Sequence, residues 1–395
     1  MANQLVSAFL MEPMIPPPGQ RELEDLAVTL VEKSARMAAQ LHPMVQNSIG
    51  DLVRSMNCYY SNLIEGHNTS PRDIERALAE DFSTNSEKRD LQLEAKAHIE
   101  VQSLVDRSAL PFDVFSSDTV KWLHKEFYER LPESLCEVIN QDTGKRIVVV
   151  PGEYRTSDVV VGRHIPPRAE YISQFLQRFS QAYNFAHLSR TEQIIAVTAA
   201  HHRLLWIHPF YDGNGRVARL LSHAAFRQAG VGNTLWSIAR GLARNSQLYK
   251  SNLDLADSPR EGDLDGRGNL SQKHLINFCR FFLMTAIDQV DFMLKLLDVS
   301  GLMDRIDSYS INQIQQKKLP KGSSIVLKEA LLKGMVARGA IPTLTGYADR
   351  QSRTIISSLV KKGLLASDTP YGDLYLRFPQ EVVEFYFPLL YPANS

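Results

Sequence analysis

His208-Pro209-Phe210-Tyr211-Asp212-Gly213-Asn214-Gly215-Arg216-Val217-Ala218-Arg219 is a polar, glycine-containing loop set between two stretches of helical periodicity. Upstream, Ser189-Arg190-Thr191-Glu192 has the spacing of a capping box, and the apolar residues Ile194, Ile195 and Val197 through Leu205 continue the helix it starts. A proline disfavours helical geometry in the residue before it, so Pro209 ends this helix at or near His208 and leaves an imidazole at a helix end. Downstream, Val217, Leu220, Leu221, Ala224 and Ala225 repeat at helical spacing, with Gly230 placed to stop the second helix.

Between the two helices, Gly213 and Gly215 allow the backbone to approach a ligand closely. The first turn of the second helix has N–H groups without helical partners, so its positive dipole end and the glycine amides form an anion site. Arg216 and Arg219, three residues apart on that helix, can both reach one polyphosphate. Asp212 stands beside this pocket as a natural ligand for Mg²⁺, an ion that prefers a carboxylate plus phosphate oxygens. A base, an anion nest, a metal ligand and two arginines are the parts that phosphoryl-type transfer needs. His208 alone would read as a structural histidine, and its setting makes it a candidate base. His201, His202 and His223 lack that setting and are assigned to packing or solvent.

The twelve residues resemble the Fic family motif, H-P-F-x-[D/E]-G-N-G-R-x-x-R, at every defined position. The resemblance implies a mainly α fold: a Fic-type helical bundle with a β-hairpin flap. It implies an adenylyltransferase that moves AMP from ATP to a Ser, Thr or Tyr hydroxyl of a target protein, itself included. His208 would deprotonate the hydroxyl, Asp212 would hold Mg²⁺ across the α- and β-phosphates, and Asn214 with the neighbouring amides of Gly213 and Gly215 would hold the α-phosphate. Arg216 would meet the β-phosphate, Arg219 the γ-phosphate, and Phe210 would anchor the loop. Relatives can transfer other nucleotides, phosphocholine or a phosphate, and ATP with Mg²⁺ is the default because Arg219 is present.

Two other stretches are similar to the family outside the motif. Pro151 to Arg155 with Val159, Val160, Val161 and Gly162 resembles the flap, an edge that pairs with the target's backbone. Asn245, Tyr249 and Leu253 fall where relatives carry a helix beside the base, which implies Tyr249 stacked on adenine, with packing as the equal alternative. Ser61-Asn62-Leu63-Ile64-Glu65-Gly66 resembles the inhibitory motif, [S/T]-x-x-x-E-[G/N], in which Glu65 would engage Arg219 and occupy the γ-phosphate site. A charge of this sign in the last turn of a helix wants a cationic partner. A second role for Glu65, orienting water to remove AMP, stays open.

At 395 residues and 44% hydrophobic composition, the chain has room for two or three domains. Lys plus Arg and Asp plus Glu are 44 each, which excludes a global field steering the molecule to nucleic acid or membrane. Cys58, Cys136 and Cys279 are too few for a disulfide framework, so a cytoplasmic location is expected. No apolar stretch reaches the roughly 20 residues a bilayer span needs, and no membrane partner is expected.

The expected organisation is an N-terminal helical region with the inhibitory helix over 1–100, a catalytic core over 101–300, a linker over 301–322 and a winged-helix-like domain over 323–395. Pro13 to Pro18 reads as an extended leader. An apolar stripe from Val45 to Leu63 predicts a helix stopped by Gly66, and Ser70-Pro71 restarts another. The β-branched runs Ile147 to Val150 and Val159 to Val161 suggest a hairpin. Leu344 to Leu365 reads as turn, helix and glycine stop, and resembles a winged helix with Tyr371-Gly372-Asp373 as wing tip. Between 321 and 365 eight basic residues face two acidic ones, a net of +6 that suits DNA phosphates. Winged helices also serve as dimerisation modules, so a homodimer stays open beside DNA. A rival to the enzyme is therefore a nucleotide-sensing DNA-binding regulator.

Overall fold

The computed structural model describes residues 9–139 and 144–392; the ends of the expected first and last regions, 1–8 and 393–395, lie outside it. Helices dominate. The first group is α1 (Arg21–Ala39), α2 (Pro43–Ile64), α3 (Pro71–Leu78), α4 (Ser86–Asp106) and α5 (Ser117–Tyr128). After the strands β1 (Glu137–Ile139) and β2 (Arg146–Val148) come α6 (Ile172–Ala182), α7 (Arg190–Ile207), α8 (Asn214–Gln228), α9 (Ile238–Arg244), α10 (Ser246–Ala256) and α11 (Gln272–Leu296). The chain closes with α12 (Val299–Gln315), α13 (Ser323–Lys333), α14 (Ile341–Thr345), α15 (Asp349–Lys361), β3 (Leu365–Ala366), β4 (Tyr375–Leu376) and α16 (Gln380–Tyr386).

Local chemistry sets the helix ends that matter for the site. Ser189 and Glu192 close a reciprocal capping box at the start of α7. Gly230, at φ 78°, follows the end of α8. In α2 the stripe from Val45 to Tyr60 is buried as its spacing predicts, whereas Leu63 turns outward and is 37% exposed. Gly66 stops this helix at φ 86°, and Ser70 caps α3 by accepting from the Asp73 amide.

One hydrophobic cluster runs through the molecule, with α1 against α7 and α11, α2 against α4 and α9, and α7 against α8. The C-terminal segment continues it. Tyr60 donates to the Leu390 carbonyl at 3.0 Å, Tyr59 and Tyr391 meet edge to face at 5.4 Å, and Arg377 pairs with Asp51 at 2.8 Å. No helix among the described residues is long and apolar enough to cross a membrane.

Three expectations are corrected. Strand β2 pairs antiparallel with β1, Val138 opposite Ile147, and not with Val159 to Val161. Val149 is buried and Gly152 turns the chain at φ 78°, so β2 ends before it can reach the later run; β-branched residues signal extended backbone without naming its partner. The polar stretch expected as a linker is largely α12, which buries Leu302, Ile306 and Tyr309 at helical spacing and leaves its glutamines and asparagines as the solvent face. The chain breaks only after it, where Lys317 and Gly322 take positive φ. Pro13 to Pro18 is no free leader, because Met11 and Met14 are buried and the Pro13 and Met14 carbonyls accept from Arg203 and Tyr183.

Candidate active site

Helix α7 ends on His208, whose backbone is left-handed (φ 48°, ψ 61°). A residue with a β-carbon holds that conformation only when its surroundings enforce it, at a cost of roughly 1–3 kcal/mol. Arg155 supplies the enforcement. Fully buried, it donates from Nε to the His208 carbonyl at 2.9 Å, from its own amide to the Pro209 carbonyl at 2.9 Å, and from its guanidinium to the Ser157 and Pro167 carbonyls at 3.0 and 2.5 Å. Phe210 plugs the loop into the core, stacked on the His124 ring at 3.8 Å.

The turn that follows is closed by Asn214. Its Oδ1 accepts from the Phe210 amide at 3.0 Å and its Nδ2 donates to the Phe210 carbonyl at 2.9 Å, so this side chain, expected at the α-phosphate, is used to shape the loop. What Asn214 offers an anion is its main-chain amide in the first turn of α8, beside those of Gly215 and Arg216. Gly213, at φ 79°, is the position before that turn, and a β-carbon there would sit 2.8 Å from the Tyr128 ring.

Burial, then the charge of Arg155, pushes the His208 imidazole down to about 4. The ring is therefore neutral near pH 7 and can accept a proton. It borders a cavity of about 650 Å³ whose walls include Gly162, Trp206, Leu253 and Asp257. Asp212, its side chain 48% exposed, accepts from the Tyr128 hydroxyl at 2.6 Å through Oδ2. Burial would raise its carboxyl, but Arg216 and the Tyr128 hydrogen bond outweigh that and hold it below the usual range. The described residues contain no group of three or more His, Cys, Asp or Glu that could hold a metal ion, so an ion at Asp212 would take its other ligands from substrate and water. An ionised, solvent-facing carboxylate beside an anion site fits Mg²⁺ in that arrangement.

Both motif arginines are buried, Arg216 at 5% and Arg219 at 3% exposure. Arg219 donates to Ser61 Oγ at 2.9 Å and to Glu65 Oε1 at 2.5 Å. Burial would raise the Glu65 carboxyl, yet the charge and hydrogen bond of Arg219 hold it low. Gly215 makes room for this contact, since a β-carbon there would lie 2.4 Å from Glu65 Oε1. Ser61 and Glu65 are thus brought to the loop from the end of α2.

Two other expectations are placed differently. Tyr249 is buried, its hydroxyl 2.7 Å from His201 Nε2, so it packs and does not offer a face to a base; Asn245 caps back onto the Gly241 carbonyl, and Leu253 alone of the three lines the cavity. Val159, Val160, Val161 and Gly162 form an extended run closed by a tight turn, with Val161 and His164 exchanging both backbone hydrogen bonds at 3.0 Å. Val160 and Ile165 project outward, 65% and 76% exposed. Sequence reading missed Arg155, Tyr128, His124 and Glu94 as supports of the loop. They come from other helices and loops, 53 and 84 residues away for Arg155 and Tyr128, and no local pattern announces such pairings.

Residues 114–225 match the Fic/DOC family model. A relative named Protein adenylyltransferase Fic, from Drosophila erecta, is 42% identical over 79 residues, 20% of this chain and 16% of its own length. The protein of the same name from Drosophila virilis is 31% identical over 116 residues, 28% of this chain and 24% of its own length. The matched part thus spans less than a quarter of either relative. Among solved structures, a Fic family protein from Desulfovibrio desulfuricans G20 superposes with a TM-score of 0.54 at 14% identity, covering 92% of this chain and 98% of that one. Fic-1 from C. elegans does so at 0.53 and 15% identity, covering 76% and 84%.

Proposed function

Because the chain carries a domain of the Fic/DOC family, we propose that it transfers AMP from ATP to a Ser, Thr or Tyr hydroxyl of a protein, itself included, and that Glu65 restrains it at rest. The observation that carries this reading is a neutral imidazole at a helix end next to an anion-ready loop with two buried arginines.

The triphosphate lies along the first turn of α8, with its β- and γ-phosphates toward Arg216 and Arg219. His208 takes the proton of the incoming hydroxyl as its oxygen attacks the α-phosphorus; the bond to the β-phosphate oxygen breaks and pyrophosphate leaves. Asp212 is the residue that would hold Mg²⁺, which would supply neutralising charge to the phosphates. The left-handed backbone of His208, clamped by Arg155, fixes the ring direction before substrate arrives. The run from Val159 to Gly162, whose Val161 and Gly162 border the cavity, is the edge to which an extended target segment adds as a strand, through the residues that Val161 and His164 do not already pair.

Glu65 occupies the donors of Arg219 that a γ-phosphate needs, so nucleotide binds productively only after it withdraws. The test is mass spectrometry of wild type, Glu65→Gly and His208→Ala after incubation with Mg²⁺ and, in turn, ATP, GTP, UTP and CTP. Glu65→Gly should gain the mass of AMP on a hydroxyl residue and His208→Ala should not. Absence of any nucleotide adduct on Glu65→Gly or on added lysate proteins overturns the reading.

A second reading concerns the C-terminal segment. A groove of about 820 Å³ between α15 and the loop before β4 is lined by Arg338, Arg353 and Lys361, with Tyr371 at its rim 92% exposed. Cations around an exposed aromatic suit nucleic acid, and a gel shift at two salt concentrations tests it: binding that ignores salt or survives Arg353→Ala with Lys361→Ala counts against it.

A further inference from the structure

Arg216 meets a carboxylate that lies outside the motif. Glu94, from the middle of α4, accepts from Arg216 Nη2 at 2.9 Å through Oε2, and the same oxygen lies 2.7 Å from His67 Nδ1. The rest of the guanidinium is less committed. Nη1 is 3.9 Å from Asp212 Oδ2, and the group lies 5.2 Å from the centre of the Phe127 ring. Its Nε is buried with no hydrogen-bond partner among the described residues.

Two carboxylates therefore touch the two arginines, and they differ in how they could move. Glu65 caps the end of α2 and its side chain is 34% exposed, so it can swing away without disturbing a helix. Glu94 is 13% exposed and sits within a 21-residue helix packed on α2 and α8, also held by His67, so it is far less free to withdraw than Glu65. A contact that persists when nucleotide binds orients the arginine and does not block it. Nη2, 2.9 Å from Glu94 and 3.2 Å from His67 Nδ1, ties that side of the guanidinium down and leaves Nη1, on the Asp212 side, as the donor toward the phosphates. Burial alone would weaken the charge on Arg216, and Glu94 first among its neighbours restores it.

We infer that Glu94 is a positioning residue, holding Arg216 in the orientation that receives a polyphosphate, and that His67 ties the same carboxylate to the segment bearing Glu65. The inference rests on the AMP-transfer reading for the reaction it serves, and its test includes a binding arm that does not need the reaction.

In the Glu65→Gly protein, Glu94→Gln and Glu94→Leu are compared with Arg216→Ala for ADP affinity by calorimetry, and for KM and kcat with ATP. Loss of a hydrogen bond to a charged group predicts an ADP affinity about tenfold weaker or more for Glu94→Leu, a smaller loss for Glu94→Gln, which keeps an acceptor, and a rise in KM larger than the fall in kcat. Once Arg216→Ala is present, Glu94→Leu should change ADP affinity by less than about twofold, because the residue acts through that arginine. Full additivity with Arg216→Ala overturns the inference, as does tighter ADP binding, which would mark a second brake. Glu94→Gln decides the matter if Glu94→Leu fails to fold. If Glu65→Gly transfers no AMP, the functional reading falls while the ADP measurements still judge Glu94.

Discussion

Replacing Glu65 with glycine should make the protein less stable and more active at once. The substitution removes the acceptor that Arg219 Nη2 reaches at 2.5 Å and leaves the Ser61 contacts in place. A hydrogen bond to a charged group contributes about 1.5–3 kcal/mol. The lower end applies here, because Glu65 is one-third exposed and its charge is partly screened, although Arg219 is buried. About 1.5–2 kcal/mol corresponds to roughly a 10- to 30-fold gain in nucleotide affinity when the competitor is gone. The ligand-free protein should lose about the same free energy and melt a few degrees lower. Position 65 has right-handed backbone (φ −79°), so glycine adds a backbone cost of roughly 0.5–1 kcal/mol, and Glu65→Ala separates that cost from the lost contact. The assay is a thermal melt with and without Mg²⁺ and an ATP analogue whose α,β-bridge cannot be cleaved, beside incorporation of labelled ATP. A melting temperature and an affinity for that analogue both equal to wild type, or a weaker affinity, refute the account of Glu65 as the competitor for Arg219.

Further expectations concern pH and the metal. His208 must be neutral to act, and its imidazole is held near 4, below the usual 6.5; the rate of Glu65→Gly should stay level from pH 8 to about 5 and fall only below that, and a decline centred at 6.5 contradicts the assignment. Stability should move differently. His98 and His201 are buried and neutral, each pushed to about 3, so the unfolded chain gains protons first as pH drops below 6.5; each contributes about 2 kcal/mol less at pH 5 than at pH 7, and urea denaturation midpoints that match at the two pH values count against it. Tyr128→Phe deletes the hydrogen bond that orients Asp212 at 2.6 Å, so half-saturation by Mg²⁺ should rise several-fold in a titration of transfer rate, and an unchanged titration removes Tyr128 from the metal site.

How much of this was legible in the sequence depended on whether the signal was local. The helix end at His208 follows from Pro209, the helix start from Ser189 and Glu192, and the stop at Gly230 from its freedom at positive φ, all within a few residues. The Glu65–Arg219 contact spans 154 residues and came only through a resemblance, since nothing near either residue names the other. Where a property is shared between pairs, reading failed. Val159 to Val161 is extended, as β-branched residues favour, but its supposed partner was taken upstream by Val138. The polar tract of Asn312, Gln313, Gln315 and Gln316 reads as a linker and masks the helical spacing of Leu302, Ile306 and Tyr309 just before it. The Asn214 side chain, expected at the α-phosphate, closes the loop with its own hydrogen bonds, and of the two roles open to Tyr249 the core takes packing.

Helix α2 ends on Glu65 and, along its length, takes the Tyr391 ring, the Leu390 carbonyl and Arg377 of the C-terminal segment. A rod gripped at one end by a charge and along its side by a distant part of the chain acts as a lever. Linkage makes such a lever work both ways: any molecule that binds the C-terminal segment and shifts α2 changes nucleotide affinity by some factor, and nucleotide changes that molecule's affinity by the same factor. Occupancy at the proposed triphosphate site would then be readable from a surface that never touches it.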